Sequence, residues 1–261
     1  MNKILVLDTE TTGLIPKMNF TKNRNDINIE ILNNCPYILQ FSYIYYDSIN
    51  NNFIKCEDKY IKIPENIEIS IENSKIHGIT EEIIKEKGIS IESILIDFML
   101  IYQNSNKIIG HNILFDLNMI FIELLRLIIK TTAKHDNKRA KHAKHNKWID
   151  YYDMLIDDVY DKSSNKIYCT MKTTKQICNL LITNKNGKTS LKYPKLIELY
   201  YYLFNKKPVN LHNSLIDCFC CLRCYIKIIY DNDIFVNIIL LNQEQEKEEH
   251  QLIYSFLKSH Y

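Results

Sequence analysis

The chain has 261 residues and is 46% hydrophobic, enough for a sizeable core in one large domain or two small ones. Five glycines and five prolines exclude collagen-like and low-complexity disordered classes, and a net charge of only +2 means that any nucleic-acid contact must come from local patches. Eight cysteines, with no leader ahead of the first apolar run, fit free thiols in a reducing cytoplasmic or nuclear compartment, and the apolar runs are too short to cross a bilayer.

Residues 3–8 form a short, nearly all-apolar run that reads as a strand buried on both faces. A polar, Asn-rich stretch at 16–35 reads as a loop or short insertion. Residues 37–46 are aromatic and β-branched and read as a second strand, followed by an Asn50-Asn51-Asn52 turn and a third strand over 53–63. Helices are expected over 80–87 and 90–103, with Thr80 and Ser90 as N-caps. Residues 107–110 read as a fourth strand, and apolar residues at helical spacing over 113–129 predict a long helix with Asp116 in its first turn. The basic stretch 130–147 breaks that pattern. Either 148–155 or 168–171 supplies a fifth strand, short helices are expected over 172–181 and 195–205, and a longer helix over 213–230 carries Asp217 early. The last stretch, 243–261, is charged and then amphipathic, as expected for a C-terminal helical extension over 231–261.

Three short segments stand at the edges of these elements: Asp8-Thr9-Glu10-Thr11-Thr12-Gly13 at the end of the first strand, Gly110-His111-Asn112-Ile113-Leu114-Phe115-Asp116 after the fourth, and His212-Asn213-Ser214-Leu215-Ile216-Asp217 opening the long helix. Asp8 and Glu10 lie two apart on a strand, so their side chains project the same way while Thr9 faces the other way. Neighbouring carboxylates repel unless a hard cation lies between them, which points to Mg²⁺ or Mn²⁺. Four carboxylates, Asp8, Glu10, Asp116 and Asp217, suffice to hold two such ions per site for phosphodiester hydrolysis. His212, just ahead of the helix, supplies an imidazole suited to take a proton from the attacking water near neutral pH.

These segments, in this order and context, resemble the three exonuclease motifs of the DEDDh (DnaQ-like) 3′–5′ exonuclease family, in the ribonuclease H-like superfamily. Ile76-His77-Gly78-Ile79-Thr80 is also similar to a stretch common in that family. The resemblance covers about residues 1–230. It implies an α/β, three-layer fold with a mixed five-stranded sheet flanked by helices. It further implies a metal-dependent 3′–5′ exonuclease that releases nucleoside 5′-monophosphates from single-stranded or frayed DNA or RNA 3′ ends. Carried over by position, Asp8, Glu10 and Asp217 bind the first metal, Asp8 bridges to the second, Asp116 holds the second ion or its waters, and His212 is the general base. Thr9, Thr11, Gly13 and Leu14 are expected around the terminal nucleotide, with Leu14 wedged against its base; His77, Asn112 and Phe115 are expected in the same pocket. The chain contains no polymerase domain, so a role in proofreading would need a polymerase or other replication or repair partner. The alternatives are a non-catalytic nucleic-acid-binding or assembly module, and an exoribonuclease specific for RNA.

Other features invite competing readings. Cys218, Cys220, Cys221 and Cys224 could suggest zinc, but no second ligand pair accompanies them, and buried small hydrophobes explain them better. The lysines and histidines of 130–147 suit a solvated loop or a cationic arm that attracts phosphates. Trp148, Tyr151, Tyr152 and Tyr200–Tyr202 could stack bases, although their spacing favours core positions.

Overall fold

A computed structural model describes residues 2–17, 29–136, 146–161, 163–208 and 211–234. Its centre is a mixed five-stranded sheet in the order β3-β2-β1-β4-β5. Strand β2 (Ile38–Asp47) runs antiparallel to its two neighbours β1 (Lys3–Thr11) and β3 (Asn52–Tyr60), while β4 (Lys107–Gly110) and β5 (Ile167–Cys169) lie parallel to β1. Between β1 and β2 lies the short helix α1 (Ile29–Asn33). Helices α2 (Ile71–His77), α3 (Glu81–Lys87) and α4 (Ile91–Gln103) connect β3 to β4. The long α5 (Leu114–Asp136) and α6 (Lys147–Tyr160) connect β4 to β5.

The pleat of β1 sorts its side chains into two cores. Leu5 and Leu7, with Phe41 and Tyr43 of β2, face Phe98 and Tyr102 of α4, Leu117 and Phe121 of α5, and Tyr152 of α6. Ile4 and Val6, with Ile44 and Tyr46, face the opposite layer, built from α9 (Leu196–Phe204) and α10 (Ser214–Tyr230). Burial on both faces is why β1 reads as an unbroken apolar run. All eight cysteines are free and buried, and Cys218, Cys220, Cys221 and Cys224 pack in the α10 layer as small hydrophobes.

The expected caps form: the side chains of Thr80 and Ser90 accept from Ile83 N and Glu92 N at the starts of α3 and α4. Three expectations change. Residues 148–155 are helical, because Trp148, Tyr152, Leu155 and Ile156 make one buried stripe of α6, and the fifth strand comes from Ile167–Cys169. The stretch 130–136 continues α5 rather than breaking it, and within it Thr131 and Thr132 turn their hydroxyls back onto carbonyls of the preceding turn; residues 137–145 lie outside the described residues. After β5, where one short helix over 172–181 was expected, two single-turn helices, α7 (Thr170–Thr173) and α8 (Lys175–Cys178), form instead and lead to a separate two-stranded hairpin, β6 (Leu181–Thr183) and β7 (Thr189–Leu191), for which no element was expected. The C-terminal extension from residue 235 onward also lies outside the described residues. Among the described residues no helix is long and apolar enough to cross a membrane.

Candidate active site

The carboxyl ends of β1 and β4 bring the first two motifs together. Asp8 and Glu10 belong to the face of β1 that looks toward α10, while Thr9 looks toward α5. There the Thr9 amide and hydroxyl donate to one oxygen of Asp116, at 2.9 and 2.8 Å. Asp116 reaches this position through a tight turn after β4. Gly110 is required there, since a Cβ would stand 2.9 Å from that of Ile113. Asn112 then takes a left-handed conformation, φ 67°, which asparagine tolerates, and α5 starts at Leu114. His111 anchors the turn: Nδ1 lies 3.0 Å from Thr170 Oγ1 and Nε2 lies 3.0 Å from the Pro194 carbonyl. Burial holds its pKa down at about 4, so the ring is a neutral brace.

The third motif arrives from the other layer. Asn213 caps α10, its side chain accepting from Ile216 N. One turn later Asp217 accepts a 3.1 Å hydrogen bond from the backbone N–H of His212, itself left-handed at φ 69°. Ser214 ties the start of α10 to β1 by donating to the Asp8 carbonyl at 2.8 Å. Its amide also points at Gln40 Oε1, 3.4 Å away. Gln40 in turn donates to Asp58 at 2.6 Å, and Ser42 donates to the same carboxylate oxygen at 2.7 Å. Gln40 and Ser42 are fully buried on β2, directly opposite Glu10 and Asp8. This polar chain was not anticipated; the signal was present as two polar residues, two apart, in an otherwise apolar strand.

Burial disfavours the charged form of all four carboxylates. Burial, then repulsion from Asp116, Asp217 and Glu10, pushes the Asp8 carboxyl well above the usual range. Burial, followed by Asp217 and Asp116, raises Glu10 to about 8. Asp116 and Asp217 are each pushed by burial to about 7, the first against the pull of its Thr9 hydrogen bonds. Asp217 Oδ1 is buried with no hydrogen-bond partner, and no lysine or arginine is among the groups perturbing the four. Glu10, His212 and Asp217 each place one donor atom within 4.8 Å of the others. A hard-oxygen donor set with an orphaned buried oxygen fits a divalent ion such as Mg²⁺ or Mn²⁺. The cysteines form no comparable group among the described residues.

The remaining motif residues surround this centre. Thr9, expected near the nucleotide, is buried with both donors on Asp116. Thr11 Oγ1 donates to the Gly13 carbonyl, and Thr12 is pinned by Tyr37 and by Asn73 of α2. Leu14 projects from that loop, 86% exposed, and a Cβ on Gly13 would meet nothing within 4 Å. His77 ends α2, with Gly78 left-handed behind it. Burial, then the neighbouring His212, holds its pKa below the ordinary value; Nδ1 accepts from Ile79 N, and Nε2 is buried without a partner. Asn112 is exposed at the β4–α5 turn, whereas Phe115 packs partly into the core. Trp148, Tyr152 and Tyr200 are core residues, and Tyr201 and Tyr202 are exposed.

The RNase T family profile, described as exonuclease, matches residues 5–167, which include Asp8, Glu10 and Asp116. The chain belongs to this exonuclease family. Its fold is that of exonuclease I. The Escherichia coli enzyme in complex with a 5cy-dT13 oligonucleotide superposes with a TM-score of 0.53 at 15% identity, over 92% of this chain and 43% of that one. The complex with dT13 gives 0.52 at 16% identity, over 92% and 44%. Exonuclease I from Methylocaldum szegediense gives 0.50 at 14% identity, over 92% and 43%. The family member described here thus spans less than half the length of these exonuclease I chains. No curated protein sequence matches it.

Proposed function

We propose that this exonuclease-family chain is a divalent-metal-dependent 3′–5′ exonuclease that hydrolyses the terminal phosphodiester of a single strand and releases nucleoside 5′-monophosphates. The observation that carries the reading is the convergence of Asp8, Glu10, Asp116 and Asp217 from three elements into one buried, mutually repelling cluster beside His212. Asp8, Glu10 and Asp217 would hold one ion, with Asp8 shared and Asp116 directed to a second. Two such ions, when bound, would supply Lewis-acid stabilisation of the attacking and leaving oxygens.

The protein's own part is positioning and proton transfer. Thr9 fixes one oxygen of Asp116 through two hydrogen bonds. The His212 amide fixes one oxygen of Asp217 and leaves Oδ1 free. His212 is exposed at the head of α10, where its imidazole can take the proton of the attacking water. In this reading the exposed Leu14 and the Thr11–Gly13 loop would meet the last nucleotide, with His77, a neighbour of His212, beside the general base. The E. coli exonuclease I complexes with dT13 and dA16 favour single-stranded DNA as the substrate.

The test uses matched DNA and RNA single strands labelled at the 5′ end, with Mg²⁺, Mn²⁺ or EDTA, for wild type and Asp8→Ala. A metal-dependent ladder that shortens from the 3′ end and vanishes in the variant is expected, and the faster strand identifies the sugar. Tight strand binding with no turnover under any metal would replace this reading with a binding module.

A further inference from the structure

Residues 170–195 carry six lysines and no acidic side chain; since the whole chain has 33 basic and 31 acidic residues, the remainder has 27 against 31, a net charge of −4. The segment is gripped at both ends by one residue. Thr170 and Pro194 contact the two ring nitrogens of His111, and His111 opens the turn that leads to Asp116. It therefore leaves and rejoins the body of the fold at the sheet edge that holds the carboxylates.

What it builds there has little role in the core. All three residues of β6 are exposed, Leu181 at 65% and Ile182 at 52%. A lone two-stranded hairpin is marginal in water. This one is held by its turn, where Asn184 Oδ1 accepts from the amides of Asn186 and Lys188 and Gly187 is left-handed, and by Lys192 N donating to the Leu180 carbonyl. Tyr193 is half exposed, with Lys175 Nζ 4.5 Å from its ring centroid. Cationic side chains interleaved with an exposed ring, beside a phosphodiester-cleaving site, match the physics of single-strand binding, in which phosphates meet lysines and bases stack on π-faces.

We propose that the 170–195 face binds the single strand on the 5′ side of the scissile phosphate, with Lys172, Lys185 and Lys188 meeting phosphates and Tyr193 stacking on a base. The proposal rests on the exonuclease reading above, and the experiment separates the two. The triple variant Lys172→Ser, Lys185→Ser, Lys188→Ser changes only exposed side chains. It is compared with wild type on DNA and RNA strands and on thymidine 5′-(p-nitrophenyl phosphate), which reaches only the catalytic centre. For a strand of about 20 nucleotides, KM should rise roughly tenfold or more, and the slope of log Kd against log salt should fall by about 2, near 0.7 per lost phosphate contact. Turnover of the small ester should not change. Tyr193→Ser should weaken strand binding roughly fivefold or more with little change in salt slope.

An unchanged KM and salt slope on both strands overturns the proposal while leaving the exonuclease standing. If wild type cleaves neither strand nor ester, the catalytic reading fails. Fluorescence anisotropy of labelled strands in EDTA then still decides: weaker binding by the triple variant supports this face as the strand site, and equal binding removes it.

Discussion

Asp8 is buried among three other carboxylates, and every one of them raises its pKa. Replacing it with asparagine keeps the shape and removes one of the repelling charges. Asp8→Asn should therefore abolish turnover and, near pH 8, raise the Tm of the metal-free protein above that of wild type. A turnover assay and a melt in EDTA check both, and a lower Tm would mean that the cluster's repulsion is not felt in the fold. His212 belongs to a different class of residue, exposed and holding Asp217 only through its backbone amide. His212→Ala keeps that amide, so metal binding and the fold should persist while kcat drops on the order of 10²–10⁴-fold. A loss expressed mainly in KM would instead make the imidazole a substrate contact.

At the scale of elements, the site depends on α10 being held at one height over the sheet, where Ser214 ties it to β1 and Gln40 ties it to β2 and β3. Gln40 links Asp58 of β3 to the amide that starts α10, from a fully buried position. Gln40→Leu leaves Asp58 and the Ser214 amide without this partner, and a lost buried hydrogen bond of this kind costs about 1–3 kcal/mol. The variant should also need more metal for half-maximal activity, because Asp217 rides on the same helix. Metal titrations of activity alongside denaturant melts test this, and a stability loss with an unchanged metal requirement would make Gln40 purely structural. The Gln40 case also indicates what was legible in the sequence. The strand ends, caps and three motifs could be read because each depends on neighbours close in the chain: the pleat of Asp8 and Glu10, the cap at Thr80, the end of the fourth strand at Gly110. The brace of His111 and the Gln40–Ser214 contact join residues 83 and 174 positions apart, and no local pattern encodes them. The β6–β7 hairpin was assigned no element from the sequence, because it buries too little for strand alternation to show.

For the whole molecule, pH and metal act on stability through the same four carboxylates. Their unfolded values lie near 4, and in the fold Asp116 and Asp217 stand at about 7, Glu10 at about 8 and Asp8 well above its usual range. A carboxyl raised in the folded state favours folding fully below its unfolded value and loses that advantage as pH rises through its folded value. The metal-free protein should therefore lose stability steadily from about pH 5 to pH 8. Divalent metal binds the deprotonated ligands and reverses this trend. Metal at about a hundred times its Kd adds about 2.7 kcal/mol, a rise in Tm of roughly 5–10 °C for a chain of this size. That rise should be large near pH 8, small near pH 5.5 and absent in Asp8→Asn. Thermal melts in EDTA, Mg²⁺ and Mn²⁺ across this range measure it. A metal-induced rise that is equal at both ends of the range, or that survives Asp8→Asn, would place the stabilising ion somewhere other than the carboxylate cluster.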